Sequence, residues 1–163
     1  MASTKRNDVM AWLRDAHAME AAHIDNLDRL IRLSDDYLLL KMQLQKHLAV
    51  SSKQREGIEQ ELGRFDTNRS IVKDWAMKIT GQVEPLVSRF THDSMPKNCL
   101  LAYAYEAFEI ASYRSLLGAA EELDMEDLRA MCERYIREEQ EMANFLFDHL
   151  PEITRQYLRT RGS

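Results

Sequence analysis

Residues that bend or break a backbone are scarce in this chain, which has 5 glycines and 3 prolines among 163 residues. That scarcity excludes collagen-like and loop-rich chains, and it argues against β-sandwiches and barrels, which need turn formers at regular short intervals. Cysteine is equally thin: the 2 present, Cys99 and Cys132, make no close pair and no metal-ligand spacing. Disulfide frameworks and zinc knuckles are therefore set aside, and buried thiols in a reducing compartment are expected. There is no basic excess either. The formal net charge is -5, whereas a nucleic-acid or anionic-membrane surface needs a basic stripe. Nowhere do about 18 apolar residues follow one another, as a membrane span requires, and the opening MASTKRNDVMAWLRDAH has no secretory apolar core. The sequence also lacks a G-x-S-x-G elbow and a phosphate-cradling glycine loop, which removes the usual hydrolase and nucleotide-binding readings. A cytoplasmic chain without nucleic-acid or membrane partners is expected.

What is present favours helix. Hydrophobic residues make up 45% and charged residues 30%, with Ala, Leu, Glu, Arg and Met prominent, all of them good helix formers. The length suits one domain, 1–163, with a core of its own. Apolar residues recur at helical spacing over about 7–33, 35–62, 97–123 and 125–149. Asn7 or Asp8 can cap the first segment, Gly63 reads as the stop of the second, and Pro151 as the end of the last. Between the second and third lies a stretch too long for a tight turn, with a weaker helix over about 70–80 and breaks at Gly81, Pro85 and Pro96. Two helix pairs joined by one long connection form an antiparallel all-α four-helix bundle of the ferritin-like kind.

Acids inside the apolar stripes carry the functional signal, because an unpaired buried charge costs several kcal/mol or shifts its pKa. On the first helix Glu20 is centred among Leu13, Ala16, Ile24 and Leu27, with His17 and His23 near the edges of the stripe. On the third, Glu106 and Glu109 share a face with Ala102, Ile110, Tyr113 and Leu116. On the fourth, Glu138 and Glu139 straddle the stripe, and either can turn inward. The second helix offers no inward acid; its candidates are His47, Val50, Ser51 and Gln54. Acids from three helices meeting in one interior form the donor set of a di-iron or di-manganese carboxylate centre. The same glutamates can instead be satisfied by tyrosine hydroxyls and interhelical hydrogen bonds with no metal.

Several segments resemble one family. AWLRDAHAMEAA is similar to the WLRDAHAMEKQ opening of the YciE/YciF family of bacterial ferritin-like proteins. AYEAFEIASYRSLLGAAEEL resembles its third helix, EEQEMANFLFDHLPEITRQYL its end, and NRSIVKD a crossover segment. The resemblance is closer to the YciE branch. His17, Glu20, His47, Gln54, Glu106, Glu109, Tyr113, Glu138 and Glu139 fall on motif positions. The chain departs where the family's second helix reads HLxETxxQ: here it reads HLAVSSKQ, with Val50 replacing the acid and Ser51 the threonine. Ile24 also stands where the family tends to have an acid.

The resemblance implies a stress-response bundle of the di-iron class, often a homodimer; taken with the inward acids, it gives the expectation that Glu20, Glu106, Glu109 and Glu139 hold iron or manganese, with His23 as a supplementary ligand and Tyr113 in support. Ferroxidase or peroxide-handling chemistry would follow from such a centre. Loss of two interior acids lowers affinity for divalent cations. The alternative is a metal-free descendant that keeps the bundle, repacks around Val50 and Ile24, and acts as a structural or interaction dimer.

Overall fold

The computed structural model describes residues 2–65 and 94–161. Among them are four helices: α1 (Ala2–Leu33), α2 (Leu38–Phe65), α3 (Met95–Glu122) and α4 (Glu126–Arg161). Burial recurs chiefly at alternating steps of three and four residues. On α1 the seam runs Val9, Leu13, Ala16, Glu20, His23, Leu27 and Leu30, with Ala18 and Met19 buried beside it, and on α2 it runs Leu40, Leu44, His47, Ser51, Gln54 and Ile58, followed by buried Glu61 and Leu62. This spacing keeps one seam of each helix on its neighbours.

Contacts at the helix ends fix the directions. Lys5 at the start of α1 pairs with Glu122 at the end of α3, and Arg64 at the end of α2 pairs with Asp127 at the start of α4. At the opposite end, Gln156 of α4 donates to the main-chain oxygen of Asp36 between α1 and α2. Thus α1 and α3 are antiparallel, as are α2 and α4, while α2 and α3 run the same way and no hairpin can join them. That is the ferritin-like arrangement. The expected crossover, with its short helix over 70–80 and its breaks at Gly81 and Pro85, lies outside the described residues.

Three boundary expectations are corrected. Asn7 and Asp8 do not cap α1, which already begins at Ala2. Gly63 does not stop α2, which runs on to Phe65. Gly63 is exposed, whereas Leu62 is buried and Phe65 packs on the core under the Arg6 guanidinium, so packing holds the last turn. Pro151 does not end α4, which continues to Arg161. A proline in a helix interior costs about 3 kcal/mol, but here the following turn is anchored by buried Ile153 and by the Gln156 bond to Asp36. Pro96, expected as a break, opens the first turn of α3, where its missing N–H is harmless.

The α3–α4 turn closes in a Schellman pattern. Met125 N–H donates to Ala120 O at 2.9 Å, and Asp124, at φ 52°, reaches the left-handed conformation that Asp tolerates better than most residues. Inside the bundle two apolar clusters form. One contains Leu13, Ile58, Leu116, Leu128 and Tyr135; the other contains Leu27, Leu44, Cys99, Met142 and Leu146. The polar interior lies between them on every helix. Among the described residues no helix is long and apolar enough to cross a membrane.

Candidate metal centre

Each helix gives up apolar residues in the same layer. Glu20 and His23 replace them on α1, His47, Ser51 and Gln54 on α2, Glu106 and Glu109 on α3, and Glu139 on α4. The four carboxylates have a relative exposure of 0%. Uncompensated charges cannot persist at that burial, so the geometry around them decides what they are for.

The imidazoles stand between the carboxylates. His23 Nε2 lies 3.3 Å from Glu106 Oε1, and its Nδ1 lies 2.9 Å from Glu109 Oε2. His47 Nε2 lies 3.1 Å from Glu106 Oε2 and 3.2 Å from Glu139 Oε2. These are ion-pair distances, but the approaches are poorly directed as hydrogen bonds, so that both oxygens of Glu106, Glu109 and Glu139 lack a well-aligned hydrogen-bond partner. Buried polar atoms are normally paired. Donor atoms that converge without bonding one another fit a cation at the point of convergence. Two sets have all donor atoms within 4.8 Å of one another: His23, His47 and Glu106; and Glu106, Glu109 and Glu139. The buried cluster can therefore hold a metal ion, and Glu106 belongs to both sets.

The chain matches the family described as "Domain of unknown function (DUF892)" over residues 4–159. The chain belongs to the DUF892 family. A crystal structure of a protein from Xanthomonas campestris pv. campestris has the same fold as this DUF892 chain, with a TM-score of 0.80 and 24% identity over 98% of this chain and 99% of that one.

The electrostatics of the DUF892 chain agree with the donor geometry. Burial alone would lower the His23 imidazole, but Glu109 and Glu106 raise it well above its usual value. His47 is raised to about 10, as the Glu106 and Glu139 carboxylates overcome burial. Glu106 is held well below the usual carboxylate range, because His23 and His47 outweigh its burial. Burial pushes Glu139 up to about 8 against the pull of His47, and burial with the charges of Glu109 and Glu139 holds Glu20 well above normal. The interior thus retains protons where it has an excess of carboxylates.

Of the sequence-derived candidates, the structure brings His23, Glu106, Glu109 and Glu139 into the two sets. Glu20 is in the same buried layer but in neither set; its Oε1 accepts a hydrogen bond from the Tyr113 hydroxyl. Of the ambiguous pair on α4, Glu139 turns inward, while Glu138 is half-buried, accepts from Gln54 Nε2 at 2.9 Å and faces Arg134. His17 is half-buried beside Arg55 and Glu59, and burial lowers its pKa. Val50 and Ile24 are also only half-buried and belong to neither set. His47 is in the first set but is not among the ligands expected from the sequence. Its signal was the spacing Leu44, His47, Ser51, Gln54, Ile58, which is the buried seam of α2.

Proposed function

We propose that the chain is a ferritin-like stress protein of the YciE/YciF branch whose interior binds two ions of iron or manganese. His23, His47, Glu106, Glu109 and Glu139 would hold them. The observation that carries this reading is the sharing of Glu106, whose two oxygens face different imidazoles and which belongs to both donor sets. A carboxylate placed in this way would offer a donor to each of the two sets. The α2 donor is His47, so replacement of the family's acid by Val50 leaves each set with three donors.

Bound iron or manganese supplies one-electron redox chemistry of the ferroxidase or peroxide-handling type. The chain's own residues do the rest. The apolar clusters on both sides exclude bulk water, which strengthens every charge interaction in the layer. Glu109 Oε2 lies 2.9 Å from His23 Nδ1, the ring nitrogen opposite the one that faces Glu106, which is where a carboxylate would support a ligating imidazole. Tyr113 fixes one oxygen of Glu20, a buried carboxyl placed to hold a proton beside the ligands.

The deciding experiment is elemental mass spectrometry of the purified protein, as isolated and after anaerobic incubation with ferrous iron and desalting. Near two metals per chain is the expected result, and well under one ends the reading. As part of the same reading we propose a homodimer, for which sedimentation equilibrium should return twice the chain mass; a monomer mass would remove that element.

A further inference from the structure

The two donor sets differ in chemistry and in the helices that supply them. The set of His23, His47 and Glu106 contains two nitrogens and draws on α1, α2 and α3. The set of Glu106, Glu109 and Glu139 contains oxygen alone and draws only on the α3–α4 hairpin. An ion in the first set joins both helix pairs, whereas an ion in the second is held within one.

Imidazole nitrogen discriminates among first-row divalent ions. It favours the later members of the series, such as zinc and iron over manganese, while an all-carboxylate site suits hard ions such as manganese or magnesium. The histidines also support each other, their rings meeting edge-on with centroids 5.5 Å apart. His23 has its Nδ1 2.9 Å from Glu109 Oε2 and packs edge-on against Tyr105 with ring centroids 5.3 Å apart. A preorganised nitrogen pair keeps its selectivity because little reorganisation is needed on binding.

Resting on the dinuclear reading above, we propose that the centre is asymmetric. The half built from His23, His47 and Glu106 takes a nitrogen-seeking divalent ion first. The half built from Glu106, Glu109 and Glu139 takes a hard ion second. A mixed pair then forms whenever both kinds of ion are offered.

The test uses the metal-stripped full chain and metal salts alone. In anaerobic calorimetry the first zinc per chain should bind about tenfold or more tightly than the second. With one zinc per chain in place, manganese followed by its electron paramagnetic resonance signal should add one per chain without releasing zinc. His23→Gln should weaken the first zinc by about tenfold or more, and Glu139→Gln should lose manganese while keeping the tight zinc. Two zinc ions of equal affinity, or manganese that binds only by displacing zinc, would overturn the asymmetry while two ions per chain still upheld the dinuclear reading. Failure to bind any ion would overturn both. If a variant does not fold by circular dichroism, the wild-type zinc and manganese titrations decide alone.

Discussion

Tyr113 and Glu20 are hydrogen-bonded side chain to side chain in the middle of the bundle, the α3 phenol donating to Oε1 of an α1 carboxyl. The other Glu20 oxygen has no hydrogen-bond partner. This one bond therefore ties the first helix to the third at the level of the carboxylate layer.

Removing the hydroxyl should show its worth. Tyr113→Phe leaves both Glu20 oxygens buried and unpaired, which costs about 1–3 kcal/mol. Urea denaturation of the metal-free variant should reveal a loss of that size. The number of metals bound per chain should not change, because Tyr113 is in neither donor set. A stability equal to wild type would show that Glu20 is satisfied some other way.

The stability of the metal-free protein should fall as the solution becomes alkaline. His47 titrates near 6.5 when unfolded and is raised to about 10 in the fold, so its contribution is complete below 6.5 and is lost as pH rises through about 10. Glu139, raised from 4.5 to about 8, acts in the same sense: its contribution is complete below 4.5 and is lost as pH rises through about 8. Glu106 acts in the opposite sense. It is held below 4.5, so its contribution is present above that value and is lost as pH falls below it. Urea midpoints of stripped protein should therefore peak in mild acid and decline toward pH 10. Bound metal displaces these protons, so loading should flatten the decline. Midpoints that rise steadily through the alkaline range would contradict the assignment.

Gly57 is a steric requirement of the α2–α4 contact. A Cβ there would lie 2.0 Å from the Tyr135 hydroxyl oxygen, which donates to the main-chain oxygen of Gln54 at 3.2 Å. The ring cannot swing aside freely, since it packs edge-on against Tyr113 with centroids 5.2 Å apart. Gly57→Ala should destabilise by about 1–3 kcal/mol, the usual cost of overpacking. Adding Tyr135→Phe should recover part of that loss, because the clashing oxygen is gone. Thermal melts of the single and double variants, compared with Tyr135→Phe alone, measure the coupling.

Much of the architecture was legible before any coordinates. The stripes of Leu13, Ala16 and Leu27 on α1 and of Leu128, Met131 and Tyr135 on α4 are the buried seams of the bundle. The helix ends were less legible. Gly63 and Pro151 are local stop signals, and both were overridden by residues that pack just beyond them, Phe65 and Ile153. Ile24 and Leu48 also fit an ideal helical stripe yet are only half-buried. Which residues of a wide stripe lie in the seam and which at its edge is set by the neighbouring helices, and these two fall at the edge.

The sequence by itself determined that the chain is helical, that its core stripes are interrupted by acids, and that Glu20, Glu106 and Glu109 point inward, because each of these follows from periodicity along one helix. Which residues come together in a donor set depends on how the helices pack. Periodicity carries no information on the relative height of two helices, so it could not show that His47 meets Glu106 and Glu139, that Glu138 turns away, or that Glu20 accepts from Tyr113 and is in neither donor set. Those relations are set by how the two helix pairs slide against each other until both apolar clusters close, and that alignment brings the polar residues of all four helices into one layer.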